Sequence, residues 1–236
     1  MSKIKALEAI YRFYDEFLKG FPIVCKKGCS TCCTTNVSVT SLEVDYLLPQ
    51  LSASSLKKVK KAAQKEHFIP STTINTSAAM CLSGKEPPEE ASPMTYEPCP
   101  LLTDEGLCAI YEKRPFSCRA MSSETLCSEG GQAYMAPFLV TVNLAIYQIL
   151  EHIDSKGCYG NLLDLIELCE TTGEEREQKL KSFEGRIKTN RQIPCFIIPQ
   201  DESIRFKSFM RRLSKERVDD DLVIGDFLPN DWQILS

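Results

Sequence analysis

Residues 25–33 read CKKGCSTCC, and residues 99–120 read CPLLTDEGLCAIYEKRPFSCRA. In the first stretch Cys29 and Cys32 form a C-x-x-C pair, the spacing at which one tight turn aims two sulfurs at a single ion. Gly28, just before that pair, can adopt backbone angles that suit a chain folding closely around a metal. Were the stretch helical, positions 25, 29, 32 and 33 would share one face, so both geometries converge the sulfurs. Cys32 and Cys33 are adjacent and poorly placed to bond each other. One can ligate while the other packs or serves a second centre. A free cysteine titrates at about 8.5, and a bound divalent ion supplies the positive charge that a thiolate needs near neutral pH.

The second stretch adds Cys99, Cys108 and Cys118, and two or three of these would complete a four-sulfur site with the first block. Tyr111, Arg114, Pro115 and Arg119 lie among them. Four thiolates around a divalent ion leave a formal charge of about −2, which nearby guanidinium groups can offset while donating to sulfur. For Arg114 the alternative reading is a surface or structural ion pair.

Taken together, C-x-x-x-C-x-x-C-C, an extended segment, T-x-x-E, C-P-L and G-x-C-x-I-Y-x-x-R-P-x-x-C-R resemble the CxxCxxCC cysteine-cluster family, also called YkgJ-like, over residues 21–121. That family is described as a zinc- or iron-chelating domain. The resemblance implies binding of a zinc ion or iron–sulfur cluster by Cys25, Cys29, Cys32, Cys33, Cys99, Cys108 and Cys118, each on a family cysteine position. Three residues separate Cys25 from Cys29 where the family name indicates two. One branch of the wider family is similar to flagellin lysine N-methylases, which implies a methyl-transferring enzyme with a protein substrate.

The chain has 236 residues, 43% of them hydrophobic and 25% charged, an ordinary globular composition. One main domain with decorations is expected: a cysteine-cluster metal-binding domain over 1–160 and a helical C-terminal extension over 161–236. A net charge of −4 gives no electrostatic footprint for nucleic acid or anionic lipid. The basic run Lys57, Lys58, Lys60, Lys61 and Lys65 reads as a solvated helix face. The first residues, MSKIKALEAIYRFYDEFLKGF, carry charges every few positions and lack the apolar run of a signal peptide. A reducing, cytoplasmic setting is therefore expected, in which twelve cysteines serve as ligands or redox groups more readily than as disulfides. The most apolar window, Ala133 to Leu150, contains Pro137, Thr141, Asn143 and Gln148, which favour a buried helix beginning near Pro137 over a membrane span.

Periodicity predicts helices over 2–19, 41–48, 54–67, 137–152 and 161–170, with further helical propensity over 173–188. Thr40 and Glu43 form a capping-box pattern, Asn161 a cap, and NVSVT over 36–40 a short extended segment. Residues 69–98, rich in Ser, Thr and Pro, read as irregular. The apolar 193–199 and basic 209–217 segments carry no interpretable motif. The fold class expected is mainly α: packed helices around an irregular, cysteine-rich, metal-centred core.

Cys127 is near enough to the second block to be an occasional ligand. Cys81, Cys158, Cys169 and Cys195 stand singly and read as small buried hydrophobes. His67 and His152 are isolated, His152 ending the apolar helix as a C-terminal cation or a packed residue. There is no phosphate-binding loop, G-x-S-x-G or H-E-x-x-H. Cys25, Cys29 and Cys32 do match the C-x-x-x-C-x-x-C spacing of radical S-adenosylmethionine enzymes, but no repeating βα units follow. The leading reading is a metal-binding protein with a structural or redox-active centre. Its alternatives are an Fe–S-dependent enzyme, either a protein-lysine N-methylase-like methyltransferase or an oxidoreductase, and a metal-free thiol redox sensor.

Overall fold

Every third or fourth residue of the first segment is apolar, and the side chains so aligned, Leu7, Ile10, Tyr11 and Tyr14, are buried. In the computed structural model, which describes residues 1–90, 94–127, 132–232 and 234–235, they form the inner face of helix α1 (Ser2–Leu18). After it come strand β1 (Ser38–Thr40), α2 (Ser41–Leu47), α3 (Ala53–Ala63), α4 (Ile74–Leu82), α5 (Phe116–Ala120) and α6 (Pro137–Ile153). Then follow β2 (Cys158–Asn161), α7 (Leu162–Cys169), α8 (Gly173–Ser182), β3 (Lys188–Thr189), β4 (Phe196–Ile197), α9 (Ser203–Leu213) and β5 (Ile234–Leu235). The fold is mainly α.

Two apolar cores organise these elements. The first is built from α1, α5, α6 and α9, with Phe116 wedged edge-on between Tyr14 and Tyr147 at ring distances of 4.9 Å on both sides. Asn143 of α6 accepts the Tyr14 hydroxyl at 2.6 Å, so that buried hydroxyl is satisfied. The second core joins Val39, Val44, Leu47 and Val59 to Leu101, Ile110 and the inner face of α7. Residues beyond 161 contribute to both cores, through α7 and α9. A small antiparallel sheet runs β1–β2–β3, with Ser38 opposite Asn161 and Cys158 opposite Thr189.

Local chemistry explains the boundaries. The Thr40 side chain accepts from Glu43 N–H and the Glu43 carboxylate accepts from Thr40 N–H, starting α2 as expected. Asn161 caps α7 by accepting from Leu163 N–H at 2.9 Å, and its amide donates to the carbonyls of Thr35 and Phe68. The lysines of α3 are all exposed, with only Val59 buried on that helix.

The stretch expected to be irregular over 69–98 contains α4, capped by Thr73. Its hold on α6 is polar: Glu151 accepts the Asn75 N–H at 2.8 Å, and the Asn75 and Gln148 side chains bond each other. An apolar period could not announce that. The helix expected over 54–67 ends at Ala63, and the one over 173–188 stops at Ser182, before Gly185 turns the chain at φ +78 into β3. Among the described residues no helix is long and apolar enough to cross a membrane. Helix α6 is the apolar window, with Val140 and Leu144 exposed and most other positions buried.

Candidate metal centre

The first cysteine block is a pair of turns. Cys29 N–H donates to the Lys26 carbonyl at 2.9 Å, with Gly28 at φ +96 making the reversal, and Cys33 N–H donates to the Ser30 carbonyl at 2.9 Å. The chain then runs alongside the second block. Thr35 N–H donates to Glu97 C=O at 3.0 Å, Thr34 and Pro98 form a bridge, and Cys99 N–H donates to Cys33 C=O at 2.9 Å. Cys33 and Cys99 are neighbours for that reason. A small loop closed by Thr103 N–H to Leu107 C=O at 2.8 Å, with Gly106 at φ +75, returns the chain so that Cys108 bridges Leu102.

Cys118 arrives on α5, whose first turn is fixed by two hydrogen bonds. Phe116 N–H donates to the buried Glu43 carboxylate at 2.8 Å, and the Ser117 hydroxyl donates to the Ser38 carbonyl. Glu43 also accepts the Tyr11 hydroxyl at 2.8 Å, so one carboxylate joins α1, α2 and α5. The cap pattern in the sequence contained this residue but gave no sign of its reach to the second cysteine block.

Cys25, Cys29, Cys32, Cys33, Cys99, Cys108 and Cys118 all line one cavity of about 390 Å³. Residues 24–136 match the model of a family named CxxCxxCC and described as a "putative zinc- or iron-chelating domain". This segment belongs to the CxxCxxCC family. No curated protein and no solved structure matches the chain. The CxxCxxCC segment includes both cysteine blocks, α2 to α5 and every cysteine on the cavity wall, so the family's metal-chelating character falls on the region where the thiols are gathered.

The donor set of the CxxCxxCC segment fits a thiophilic metal. Burial pushes the Cys99 thiol up to about 11, with Cys108 adding to the effect. Burial also raises Cys118 well above the ordinary thiol range, Cys99 and Cys108 reinforce it, and Arg114 opposes it. Thiols packed together in this way resist ionisation because each negative charge opposes the next, and a divalent cation removes that opposition. Cys32 is lowered by its hydrogen bond with Cys33, and Cys33 is raised by the same bond. Among the described residues no three such side chains stand in ready-made ligand geometry. The cavity thus presents thiols around its wall, not a finished coordination shell.

The two arginines of the second block separate in role. Arg114 lines the cavity, lies 4.0 Å over the Tyr111 ring and donates to Tyr111 C=O at 2.8 Å, which leaves its charge beside Cys118. Arg119 also borders the cavity, but it is buried and its guanidinium is held by partners outside the cysteine cluster. It pairs with Asp15 at 2.6 Å, donates to the Glu112 and Arg114 carbonyls, and lies over Tyr11.

Other singled-out residues lie elsewhere. Cys195 is buried, while Cys158 and Cys169 pack at the edge of the second core. His67 is buried against Asp164, itself held by Arg186. His152 is lowered by burial and accepts from Ile193 N–H at 3.3 Å, so it is the packed residue and not a helix-end cation. Tyr147 and Tyr159 also form part of the cavity wall, which no motif or spacing announced.

Proposed function

We propose that the cavity of the CxxCxxCC segment is a metal centre in which Cys25, Cys29, Cys32, Cys33, Cys99, Cys108 and Cys118 supply the ligands for a zinc ion or an iron–sulfur cluster. The observation that carries this reading is that thiols from two blocks far apart in sequence line a single cavity. Soft thiolates suit zinc and iron–sulfur clusters and disfavour magnesium or calcium. Bound metal would supply the positive charge that lets buried thiols ionise, and would tie the 25–33 turns to the 99–108 loop and α5. Arg114 would offset part of the excess negative charge. This is a structural or redox-active centre in a reducing, cytoplasmic setting, where all twelve cysteines remain free.

A second reading is favoured by the size and lining of the cavity. About 390 Å³ lies within the ~300–1,000 Å³ range of small-molecule sites, and Tyr111, Tyr147, Tyr159 and Ile74 extend the wall beyond the sulfurs. That room suits an enzyme that brings a substrate beside the centre, either an oxidoreductase or a protein-lysine N-methylase-like methyltransferase.

Replacing Cys29 or Cys118 by Ser is expected to lower both metal content and melting temperature. Elemental analysis and thermal unfolding of full-length protein purified without oxygen check this. Unchanged metal content in both variants would sink the reading.

A further inference from the structure

The cavity cysteines divide into an inner and an outer group, and the outer group has a further member. The inner group is set by backbone pairing: Cys33 and Cys99 share a main-chain hydrogen bond, the Leu102–Cys108 bridge returns Cys108 to the same place, and α5 delivers Cys118. The outer group sits on the exposed turns, where Cys29 and Cys32 face solvent.

Cys25 belongs to the outer group through a separate stitch. Val24 N–H donates to Ser123 C=O at 2.9 Å, and the Cys25 thiol lies 3.9 Å from the same oxygen. From Ser123 the chain makes a tight turn held by Thr125 N–H to Ser123 Oγ at 3.1 Å, and by the Ser123 hydroxyl to Thr125 C=O at 2.7 Å. That turn carries Cys127, whose thiol contacts Thr125 C=O at 3.8 Å. Cys25 thus lines the cavity wall with Cys29 and Cys32 and is stitched to the turn that carries Cys127, and the charges of all three thiols reach it. Cys32 hydrogen-bonds Cys33, so the two groups meet at these adjacent residues.

Resting on the reading that the cavity binds metal, we infer that Cys25, Cys29, Cys32 and Cys127 form a second, outer thiolate site that takes its own thiophilic divalent cation, beside the inner site of Cys33, Cys99, Cys108 and Cys118. Four sulfurs complete a closed tetrahedral shell, so each group is sufficient for one ion. Binding is ligand exchange without redox change: each thiol loses its proton to solvent as the sulfur–metal bond forms and metal-bound water leaves. The adjacent Cys32 and Cys33 explain a doublet that one tetrahedral ion cannot use well from a single turn. The outer ion is the more exposed and should be the first released to a chelator.

The test is an anaerobic titration of metal-free, full-length protein with Co²⁺ alone, read by sulfur-to-metal charge-transfer absorbance in the near ultraviolet. Wild-type protein is expected to saturate at about two equivalents per chain, and Cys127→Ser and Cys25→Ser each at about one. Cys127 lies on a half-exposed turn outside both cores, so its replacement leaves the folding determinants in place. Saturation of the wild type at about one equivalent, or of Cys127→Ser at the wild-type value, would overturn the outer site and leave the metal-centre reading standing. Loss of all uptake in Cys127→Ser would overturn the division into two groups. No uptake by the wild type would defeat both readings.

Discussion

Phe116 and Cys118 stand two positions apart on α5 yet belong to regions held by different forces. Phe116 is fully buried between Tyr14 and Tyr147, and its surroundings are an aromatic and aliphatic frame built by α1, α6 and α9. Cys118 faces a cavity whose other wall consists of turns and a short loop, joined by a few main-chain hydrogen bonds. The frame is held chiefly by buried apolar and aromatic contacts. The loops gather thiols whose ionised forms repel, so their order depends on something that neutralises charge. A variant in the frame should therefore destabilise the protein with or without metal, and a variant in the loops should matter mainly when metal is bound.

The largest effect expected is for Phe116→Ala, which should cost about 3–5 kcal/mol by leaving a cavity between two rings. Denaturant unfolding should return the same loss in metal-loaded and chelator-treated protein; a loss that disappears with chelator would place Phe116 on the wrong side of the comparison. Cys118→Ser should behave in the opposite way. A ligand present at about 100 times its dissociation constant contributes about 2.7 kcal/mol, and that increment should vanish in the variant while the metal-free proteins unfold alike.

Glu43→Gln tests the joint between the two regions. Its carboxylate accepts from Phe116 N–H, Tyr11 Oη–H and Thr40, and replacing it with an amide turns an NH2 donor toward groups that themselves donate. The expected cost is about 2 kcal/mol in both metal states, with a reduced metal content besides, because α5 no longer holds Cys118 in place. Full metal content in a destabilised Glu43→Gln protein would show that the frame does not position the site.

The smallest effect lies outside both regions, at His67. Its hydrogen bond to Asp164 raises its pKa from the ordinary 6.5, opposed by burial and by Arg186. A raised folded value means that the protonated form is the stabilised one, so the contribution is complete below the unfolded pKa and lost as pH rises through the folded one. His67→Gln should cost about 1 kcal/mol at about pH 5.5 and less at about pH 8.5, measured by unfolding at the two values. An equal loss at both would remove the ionic part of that pair.

The frame was legible in the sequence to a greater degree than the site's surroundings. Helix α1, the α2 capping box, α6 from Pro137 and the Asn161 cap each rest on apolar period or local cap chemistry, which a single segment displays by itself. Helix α4 was not legible because its fixing contacts, Asn75 to Gln148 and Glu151, are polar and come from another helix. Strands β2 and β3 are too short to show alternation, and their pairing is set by tertiary contacts. At the site, spacing and family resemblance singled out the cysteines that line the cavity. Spacing could not show that Cys25 is stitched to Ser123, that Arg114 and Arg119 part company, or that Tyr147 closes the wall from α6, because each depends on where distant segments meet.

The most direct measurement is the zinc, iron and acid-labile sulfide content of wild-type full-length protein purified without oxygen, taken with its ultraviolet–visible spectrum. The account predicts stoichiometric zinc in a colourless protein, or iron with sulfide and the broad visible absorbance of a thiolate-bound cluster. Protein that is folded, fully reduced and free of both metals, and that takes up neither when they are supplied, would contradict it.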